Sequence, residues 1–384
     1  MQPRDTKPRK SLMAKSKDGG KIKWKTGGKR PTVRSLSLKE LAEHLSLSPA
    51  TVSLVINRTK AAAAIPEETQ KRIFQAAKEL NYRPNFYARS LRMQRSFTIG
   101  ILHPDLSDYV ALLTSGIEDY LMREGYFYFA AGHRNNPELI EEYPLIMLDR
   151  AVEGIIAIDT PIAHSLPLPV VIVAGHRNIE GATNVILDHR RAAELALGHL
   201  ARMGHREIAF MKGPKVSSDT EVRWQSICEV ARKLDLEMKP SLCVEMEFST
   251  PFPDMGYPVV QRLLASGERF TALFAFNDVS AIGAIRALRD AGLEVPGSVA
   301  VVGFDDIPSA AYNTPSLTTI RQPLRRMGEI AARTLLDRLR SKGTVPNEVA
   351  VEPELVIRES TTSRLRPSAP PRPESVPASA SSND

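Results

Sequence analysis

The sequence predicts an α/β protein with a short helical head and a two-lobed core of parallel sheets covered by helices. Apolar residues follow helical spacing over residues 35–95. From residue 97 onward, short apolar runs alternate with amphipathic segments of helix length, which is typical of parallel strands covered on both faces. Eight such runs are too many for one comfortable open sheet, so we expect two lobes.

The eight predicted strands are continuous apolar runs bounded by turn residues. They are Thr98–Leu102, Phe127–Ala131, Gly154–Ile158, Val170–Ala174, Val185–Leu187, Ile208–Met211, Ala272–Phe276 and Val299–Phe304. Glycines indicate where two of the intervening helices end: Gly204 follows a helix ending near Met203, and Gly292 follows one ending near Ala291.

Composition excludes several classes of protein. The chain of 384 residues has no apolar run approaching the roughly 18 residues of a membrane span. Its N-terminal segment is basic and lacks the apolar stretch of a secretory signal, so we expect a cytoplasmic protein without a membrane partner. The two cysteines, Cys228 and Cys243, form no CxxC pair and do not cluster with histidines, which favours neither a disulfide framework nor a zinc site.

Charge is distributed unevenly along the chain. Residues 1–95 carry 22 Lys and Arg against 7 Asp and Glu, whereas the remainder carries 29 against 37. A basic head on a mildly acidic body is typical of a protein that places one end on a polyanion, although a solubilising tail would look similar. Residues 1–34 contain almost no aliphatic side chains, and 361–384 are rich in proline and serine, so we expect both segments to be disordered.

The head shows the pattern of a helix-turn-helix. Ser37 and Glu40 form a predicted capping box, and Ser48 is a predicted N-cap followed by Pro49 at the first helical position. We expect Val52, Val55 and Ile56 to face inward and a third helix to run from about Pro66 to Leu80. The residues expected on the outer face of the second helix are Pro49, Ala50, Thr51, Ser53, Leu54 and Asn57.

Two short helices separated by a tight turn in a basic segment favour insertion of the second helix into the major groove of DNA. A small helical bundle for protein contacts is the alternative. The outer face of residues 48–57 has no acidic residue and no large hydrophobic residue except Leu54, which favours DNA.

Three motifs in this part of the chain resemble the LacI/GalR family of bacterial repressors. They are Ser48–Asn57, Leu80–Asn85 and Ala88–Arg92, and the resemblance extends over roughly residues 36–360. It implies that the second helix reads operator bases and that a hinge helix forms on DNA. Three features depart from the family pattern: Ser46 stands where glycine is usual, the loop after Asn57 is longer, and Leu54 replaces an arginine found in some members.

The resemblance also assigns roles to residues of the head and the hinge. Pro49, Ala50, Thr51 and Leu54 would face bases or their methyl groups, and Leu91 would be a wedge in the minor groove. The residues that would contact or support phosphates are Ser48, Thr51, Ser53, Asn57, Arg89 and Arg92.

Motifs of the core resemble the same family, whose core shares its fold with periplasmic sugar-binding proteins. They are Ile99–Asp105, Gly204–Arg206, Phe276–Asp278, Val302–Asp306 and Pro315–Pro323. The resemblance aligns Arg223 with the effector-binding arginine, and Asn277 and Asp305 follow predicted strands, where ligands bind in open α/β sheets. Further effector candidates are Tyr109, which could stack on a ring, Asp219 and Phe248. We expect Asp278 and Asp306 to cap helices, and the alternative for Asp305 and Asn277 is that they satisfy turns.

Three classes of function remain to be compared. A periplasmic solute-binding protein needs a signal peptide and leaves residues 35–95 unexplained, and a sugar-metabolising enzyme needs catalytic groups that we do not find. There is no nucleotide-binding or hydrolase motif, and the histidines are scattered, so we expect no catalytic site, cofactor or metal.

The sequence therefore predicts a transcriptional regulator, most simply a repressor. It would bind double-stranded DNA at a pseudo-palindromic operator as a homodimer, under the control of a small-molecule effector. A carboxylate, an amide and a guanidinium facing one cleft suit a sugar or similar metabolite, or an anion held by Arg223. The predicted domains are a disordered basic arm (1–34), a helix-turn-helix domain (35–84), a hinge helix and linker (85–96), a two-lobed effector-binding and dimerisation core (97–360) and a disordered tail (361–384).

Overall fold

The structure is a computed structural model that describes residues 36–57, 59–82, 94–246, 256–340 and 346–362. The chain divides into two units, residues 1–92 and residues 93–384. The predicted helical head and two-lobed α/β core are both confirmed. The expected arm, almost all of the expected tail and most of the expected hinge lie outside the described residues.

The smaller unit contains three α-helices among its described residues. These are α1 (Leu38–His44), α2 (Pro49–Ile56) and α3 (Glu67–Glu79), with a 3₁₀ helix at Lys60–Ala64 before α3. The predicted capping box of α1 is confirmed, because the Ser37 hydroxyl accepts the Glu40 amide at 3.2 Å and the Glu40 carboxylate accepts the Ser37 amide at 2.7 Å.

The turn between α1 and α2 fixes the angle of the second helix. Ser46 has φ 56°, so a residue with a β-carbon occupies the left-handed conformation that usually favours glycine. Arg72 of α3 donates to the carbonyl oxygen of Leu45 at 2.6 Å and so anchors this turn. The buried apolar residues beneath are Leu41, Ala42, Leu45, Val52, Val55, Ala62, Ile73 and Ala76.

The larger unit alternates strands with helices. Its described strands are β1 (Thr98–His103), β2 (Phe127–Gly132), β3 (Gly154–Ile158), β4 (Val170–Val173), β5 (Ala182–Leu187), β6 (Ile208–Lys212), β7 (Cys243–Glu245), β8 (Ala272–Phe274), β9 (Ala300–Asp305), β10 (Thr318–Arg321), β11 (Glu348–Val351) and β12 (Glu354–Val356). Its described helices are α4 (Asp108–Arg123), α5 (Pro137–Asp149), α6 (His189–Arg202), α7 (Asp219–Lys233), α8 (Tyr257–Ala265), α9 (Asp278–Asp290), α10 (Pro308–Tyr312) and α11 (Leu324–Leu339).

The strands form two six-stranded sheets, one in each lobe. The first lobe has the order β11-β5-β4-β3-β1-β2 with every neighbouring pair parallel. The second has the order β12-β10-β9-β8-β6-β7, parallel except for the antiparallel pair β10 and β12. The chain crosses between lobes after β5, after β10 and between β11 and β12, so three connections join the two lobes.

Helix α11 returns to the first lobe and packs closely against α4. A β-carbon on Gly116 would lie 1.9 Å from the carbonyl oxygen of Arg325, and one on Gly328 would lie 2.1 Å from that of Leu113. Two glycines that face the partner backbone therefore allow the helices to approach this closely.

All eight predicted strands are present, with small changes at their ends. The strand predicted over Ala272–Phe276 ends at Phe274. Four strands were not predicted: β7, β10, β11 and β12. Strands β7, β11 and β12 are short edge strands, and β10 buries Thr318 and Thr319, whose hydroxyls find partners inside the protein. Neither the three edge strands nor β10 has the continuous apolar run from which buried strands are predicted.

Within the residues that the structure describes, no helix has both the length and the apolar character needed to cross a membrane.

Candidate functional site

Helix α2 presents most of the residues predicted to contact DNA. Ser48, Pro49, Ala50 and Asn57 are exposed, and Thr51 and Leu54 are half-buried. Ser48 also caps the helix, because its hydroxyl accepts the Thr51 amide at 3.0 Å. The exposed residues of this helix are small or neutral, so its surface can approach DNA closely.

The prediction that Ser53 faces outward is wrong. Only 6% of Ser53 is exposed, and Asn57 donates to its hydroxyl at 3.2 Å and to its carbonyl oxygen at 2.8 Å. Helical spacing places position 53 at the border of the apolar stripe, and the small serine side chain is covered there. The predicted contacts of Arg89, Leu91, Arg92 and Phe248 lie outside the described residues.

The core contains a cleft that is lined by residues of both lobes. The first lobe contributes Tyr109 from α4, and Asp159, which follows β3. The second lobe contributes Arg223, Asn277 and Asp305 among others. The cleft lies at the carboxyl ends of the strands, which is where ligands bind in open α/β folds.

Arg223 is buried on the floor of the cleft with 6% of its surface exposed. Its Nη1 donates to the carbonyl oxygen of Phe276 at 2.7 Å, and its Nη2 donates to Asp219 at 3.0 Å. The guanidinium also lies over the rings of Phe276 and Phe304, at 4.5 and 3.8 Å from their centroids. Its Nε is buried and has no partner among the described residues. The Nε–H group is therefore a donor of this arginine that no described residue uses.

Asp305 lies at the end of β9 with a strained backbone. Its φ is 109°, which is rare for a residue with a β-carbon, and its carboxylate accepts from Gln322 at 2.7 Å. Burial raises the pKa of Asp305 to about 7, against the opposing effects of Arg223 and Gln322. Backbone strain and a perturbed carboxyl group in a cleft are typical of binding sites.

Asn277 and Tyr109 take different positions in the cleft. Asn277 caps α9, because its side chain accepts the Ser280 amide at 2.9 Å, so this residue serves the helix as well as lining the cleft. Tyr109 is half-buried and lines the opposite lobe. Burial raises the pKa of Tyr109 well above its usual value, which leaves its hydroxyl neutral and able to donate a hydrogen bond.

Asp219 is central to a cluster that the sequence did not reveal. His176 Nε2 lies 2.7 Å from one of its carboxylate oxygens, and His189 Nε2 lies 3.1 Å from the same oxygen. Burial opposes ionisation, but the nearby histidines and Arg223 hold the pKa of Asp219 well below its usual range. The expectation that the histidines are scattered is wrong for these two.

Asp278 and Asp306 do not have the roles expected of them as caps. Asp278 is fully buried and accepts the Ile307 amide at 2.8 Å and the Thr319 hydroxyl at 2.6 Å, joining the end of β9 to β10. Asp306 pairs with Arg321 and Arg358, each at 2.7 Å. Both residues support the backbone around Asp305.

Asp159 and Gln322 are among the residues of the cleft that the sequence analysis missed. Asp159 follows β3 and accepts the Ser218 amide from the other lobe at 2.9 Å. Gln322 lies where the chain crosses between lobes after β10. Asp159 could have been predicted, because it directly follows an apolar run. No pattern in the sequence indicates that Gln322 belongs to the cleft.

Comparison with known proteins places both units in known families. Residues 37–85 match the model of the bacterial regulatory proteins of the lacI family, and residues 197–361 match that of the periplasmic binding protein-like domain. The HTH-type transcriptional repressor PurR of Pasteurella multocida is 32% identical over 340 residues, which cover 86% of this chain and 99% of the relative. The PurR repressor of Haemophilus influenzae is 32% identical over 342 residues, covering 86% and 99%.

Solved structures are similar over most of the chain. A lac repressor dimer bound to operator and the anti-inducer ONPF matches with a TM-score of 0.76 at 24% identity, covering 85% of this chain and 99% of that one. The regulator CelR in complex with cellobiose matches with a TM-score of 0.63 at 26% identity, covering 85% and 99%. A regulator from Enterococcus faecium with bound ribose gives 0.60 at 26% identity, covering 69% and 98%.

Proposed function

This chain belongs to the LacI family of bacterial regulatory proteins and is a DNA-binding transcriptional regulator, and from that premise we propose that its cleft binds a neutral sugar or related polyol. The ligand then controls how the head binds its operator. The PurR relatives are transcriptional repressors, so repression rather than catalysis is the proposed activity, and we propose that the protein acts in the cytoplasm, where its operator would lie.

The observation that carries the ligand class is the pairing of Arg223. Both of its terminal nitrogens already have acceptors, and the carboxylate of Asp219 balances its charge. An anionic ligand would enter a cleft that also contains Asp159 and Asp305, with no cation left to receive it. A hydroxyl group, by contrast, can accept from Arg223 Nε and donate to a carboxylate.

Relatives with solved complexes support the same class. CelR is bound to cellobiose, the Enterococcus faecium regulator to ribose, and a regulator from Alkaliphilus metalliredigens to D-xylulofuranose. We carry this chemistry over to the present cleft as a proposal. Arg223, Asp305 and Asn277 are the proposed contacts to hydroxyl groups, with Tyr109 against the ring of the sugar and Asp219 orienting Arg223.

We propose that α2 enters the major groove of the operator. Pro49, Ala50, Thr51 and Leu54 would contact base edges and methyl groups, and the N-terminus of α2 would face a phosphate. Specific binding by one small head is weak, so two heads on a pseudo-palindromic operator are needed.

Homodimerisation follows from an apolar edge of the first lobe. β2 is an edge strand, and the exposed fractions of Phe127 and Phe129 on it are 61% and 42%. Met122 at the end of α4 is 67% exposed. Large exposed apolar side chains beside an unpaired strand edge favour burial against a second copy.

Control by the ligand depends on the three connections between the lobes. A sugar that contacts Tyr109 in one lobe and Arg223 in the other favours the arrangement in which the lobes are closed. In a dimer, that arrangement would alter the separation of the two heads, and hence the fit to the operator.

Selection of bound DNA from a random pool, followed by calorimetry, tests the proposal. We expect a pseudo-palindromic site, and we expect a panel of neutral aldoses, ketoses and disaccharides to contain a ligand that changes operator affinity. Arg223→Ala should lower the affinity for that ligand by about tenfold or more, because a hydrogen bond to a charged group contributes about 1.5–3 kcal/mol. Binding only of organic anions or sugar phosphates would overturn the proposed ligand class.

A further inference from the structure

Two histidine rings converge on one oxygen atom beside the cleft. His176 lies between β4 and β5 in the first lobe, His189 begins α6, and Asp219 begins α7 in the second lobe. The two Nε2 atoms lie 2.7 and 3.1 Å from the same carboxylate oxygen, and the ring centroids are 5.6 Å apart. One ligand atom from each of the three residues lies within 4.8 Å of the others.

His189 lacks the hydrogen bonds that a buried imidazole normally makes. Its side chain is 2% exposed, yet neither ring nitrogen has a hydrogen-bond partner among the described residues. Its Nε2 approaches Asp219 closely, but not in hydrogen-bonding geometry. A buried polar atom without a partner is destabilising unless something else satisfies it.

We propose that His176, His189 and Asp219 bind a divalent transition metal ion, with zinc as the best match. Imidazole nitrogen and carboxylate oxygen are zinc ligands with bonds of about 2.0–2.2 Å, and tetrahedral geometry places neighbouring ligand atoms roughly 3.3 Å apart. The observed separations of 2.7 and 3.1 Å need to widen by about 0.6 and 0.2 Å to match this spacing. Three protein ligands leave a fourth position for water.

The surroundings of Asp219 hold its carboxylate in place for this role. Its other oxygen accepts from Arg223 Nη2 at 3.0 Å, which is the kind of outer contact that orients metal-binding carboxylates. Bound metal would give His189 Nε2 its missing partner. It would also link the first lobe, through His176, to α6 and α7 of the second.

This inference goes beyond sugar binding, since the metal site uses different atoms and can be measured without a sugar. Metal would fix His176 relative to Asp219 and so favour one arrangement of the lobes. We therefore expect metal to raise the melting temperature of the protein and to change the affinity for the sugar.

Cobalt titration of the untagged, chelator-treated full-length chain at neutral pH is the direct test. We expect the visible absorption bands of tetrahedral cobalt with a stoichiometry of one ion per chain, followed by their loss when zinc displaces cobalt. His176→Gln and His189→Gln should each weaken metal binding by more than the roughly 10–100-fold that follows loss of an outer-shell contact.

His199→Gln is the matched control. His199 lies on the same helix as His189 and is also buried, but its ring contacts Thr361 instead. This variant should bind cobalt as the unmodified chain does, and circular dichroism would show that all three variants fold. X-ray absorption of the zinc-loaded unmodified chain gives the ligand set without any substitution.

Absence of cobalt binding by the unmodified chain would overturn the proposal, as would unchanged binding by both cluster variants. A zinc spectrum without histidine ligands would do the same. In each case the cluster would be a pair of histidines beside a carboxylate without a metal ion. The proposed binding of a sugar would be unaffected by this result, because calorimetry with sugars tests it separately.

Discussion

Replacing Asp305 by asparagine should change stability and ligand affinity in opposite directions. The side chain keeps its shape and can still accept from Gln322, but it no longer ionises. Ionisation of Asp305 is unfavourable in the folded protein, because burial and the nearby Asp219 and Asp159 outweigh the attraction of Arg223 and the hydrogen bond from Gln322. The charge is nevertheless the stronger acceptor for a sugar hydroxyl.

The magnitude follows from the pKa. The folded-state pKa of Asp305 is raised from 3.8 to about 7, so the folded protein binds more protons than the unfolded chain between these values. Its stability therefore falls as the pH rises through this window, and the loss is complete above pH 7. At 1.36 kcal/mol per pH unit, the loss amounts to about 4 kcal/mol.

Urea unfolding of the full-length chain at pH 5 and at pH 8, with a chelator present, measures this difference. The free energy of unfolding of Asp305→Asn should exceed that of the unmodified protein by up to about 4 kcal/mol above pH 7, and by much less near pH 5. Its affinity for the sugar should fall about tenfold, because a neutral hydrogen bond contributes about 1–1.5 kcal/mol less than a charged one. The exposed Asp149→Asn is the control and should show neither effect. A stability difference that is equal at both pH values would refute the reasoning.

Three further predictions concern a helix contact, a turn residue and a helix cap. Gly328→Ala should lower stability by about 1–3 kcal/mol in calorimetry, because its β-carbon would lie 2.1 Å from the carbonyl oxygen of Leu113; an unchanged melting temperature would show that α4 and α11 can separate. Ser46→Gly should raise the stability of the head by roughly 1 kcal/mol in denaturant titrations, since φ is 56° there, and a loss of stability would contradict this. Ser48→Ala should lower the free energy of unfolding by about 1 kcal/mol and weaken operator binding in gel shifts. Unchanged stability and unchanged operator affinity would show that the Ser48 cap does not stabilise α2.

Local patterns predicted much of the fold because their causes are local. The capping residues Ser37 and Ser48 act within four residues of chain, and both were predicted correctly. The buried strands were visible because both of their faces are covered and every residue is apolar, as in Gly154–Ile158. Strand β10 was not predicted because its buried residues Thr318 and Thr319 are polar. Their hydroxyls form hydrogen bonds inside the protein, and a search for apolar runs does not identify such a strand.

The candidate site was only partly predictable because it is assembled from distant segments. Arg223 was assigned by resemblance and Asp305 by its position after a predicted strand, and the structure places both in one cleft. The convergence of His176, His189 and Asp219 depends on three segments and both lobes, so no spacing in the sequence indicates it. Gln322 reaches Asp305 only because the chain crosses between the lobes at that point.

The triple connection between the lobes has a consequence for how the protein is made. The first sheet receives its edge strand β11 only after almost the whole second lobe has been synthesised, and the second sheet is completed by β12 a few residues later. During translation the nascent first lobe therefore exposes the unpaired edge of β5, with its backbone groups open to any passing strand. Neither lobe is encoded by one uninterrupted stretch of the gene, so a domain excised at a single boundary would carry an incomplete sheet. Expression of the first lobe alone requires a fusion that supplies α11 and β11 through an artificial linker.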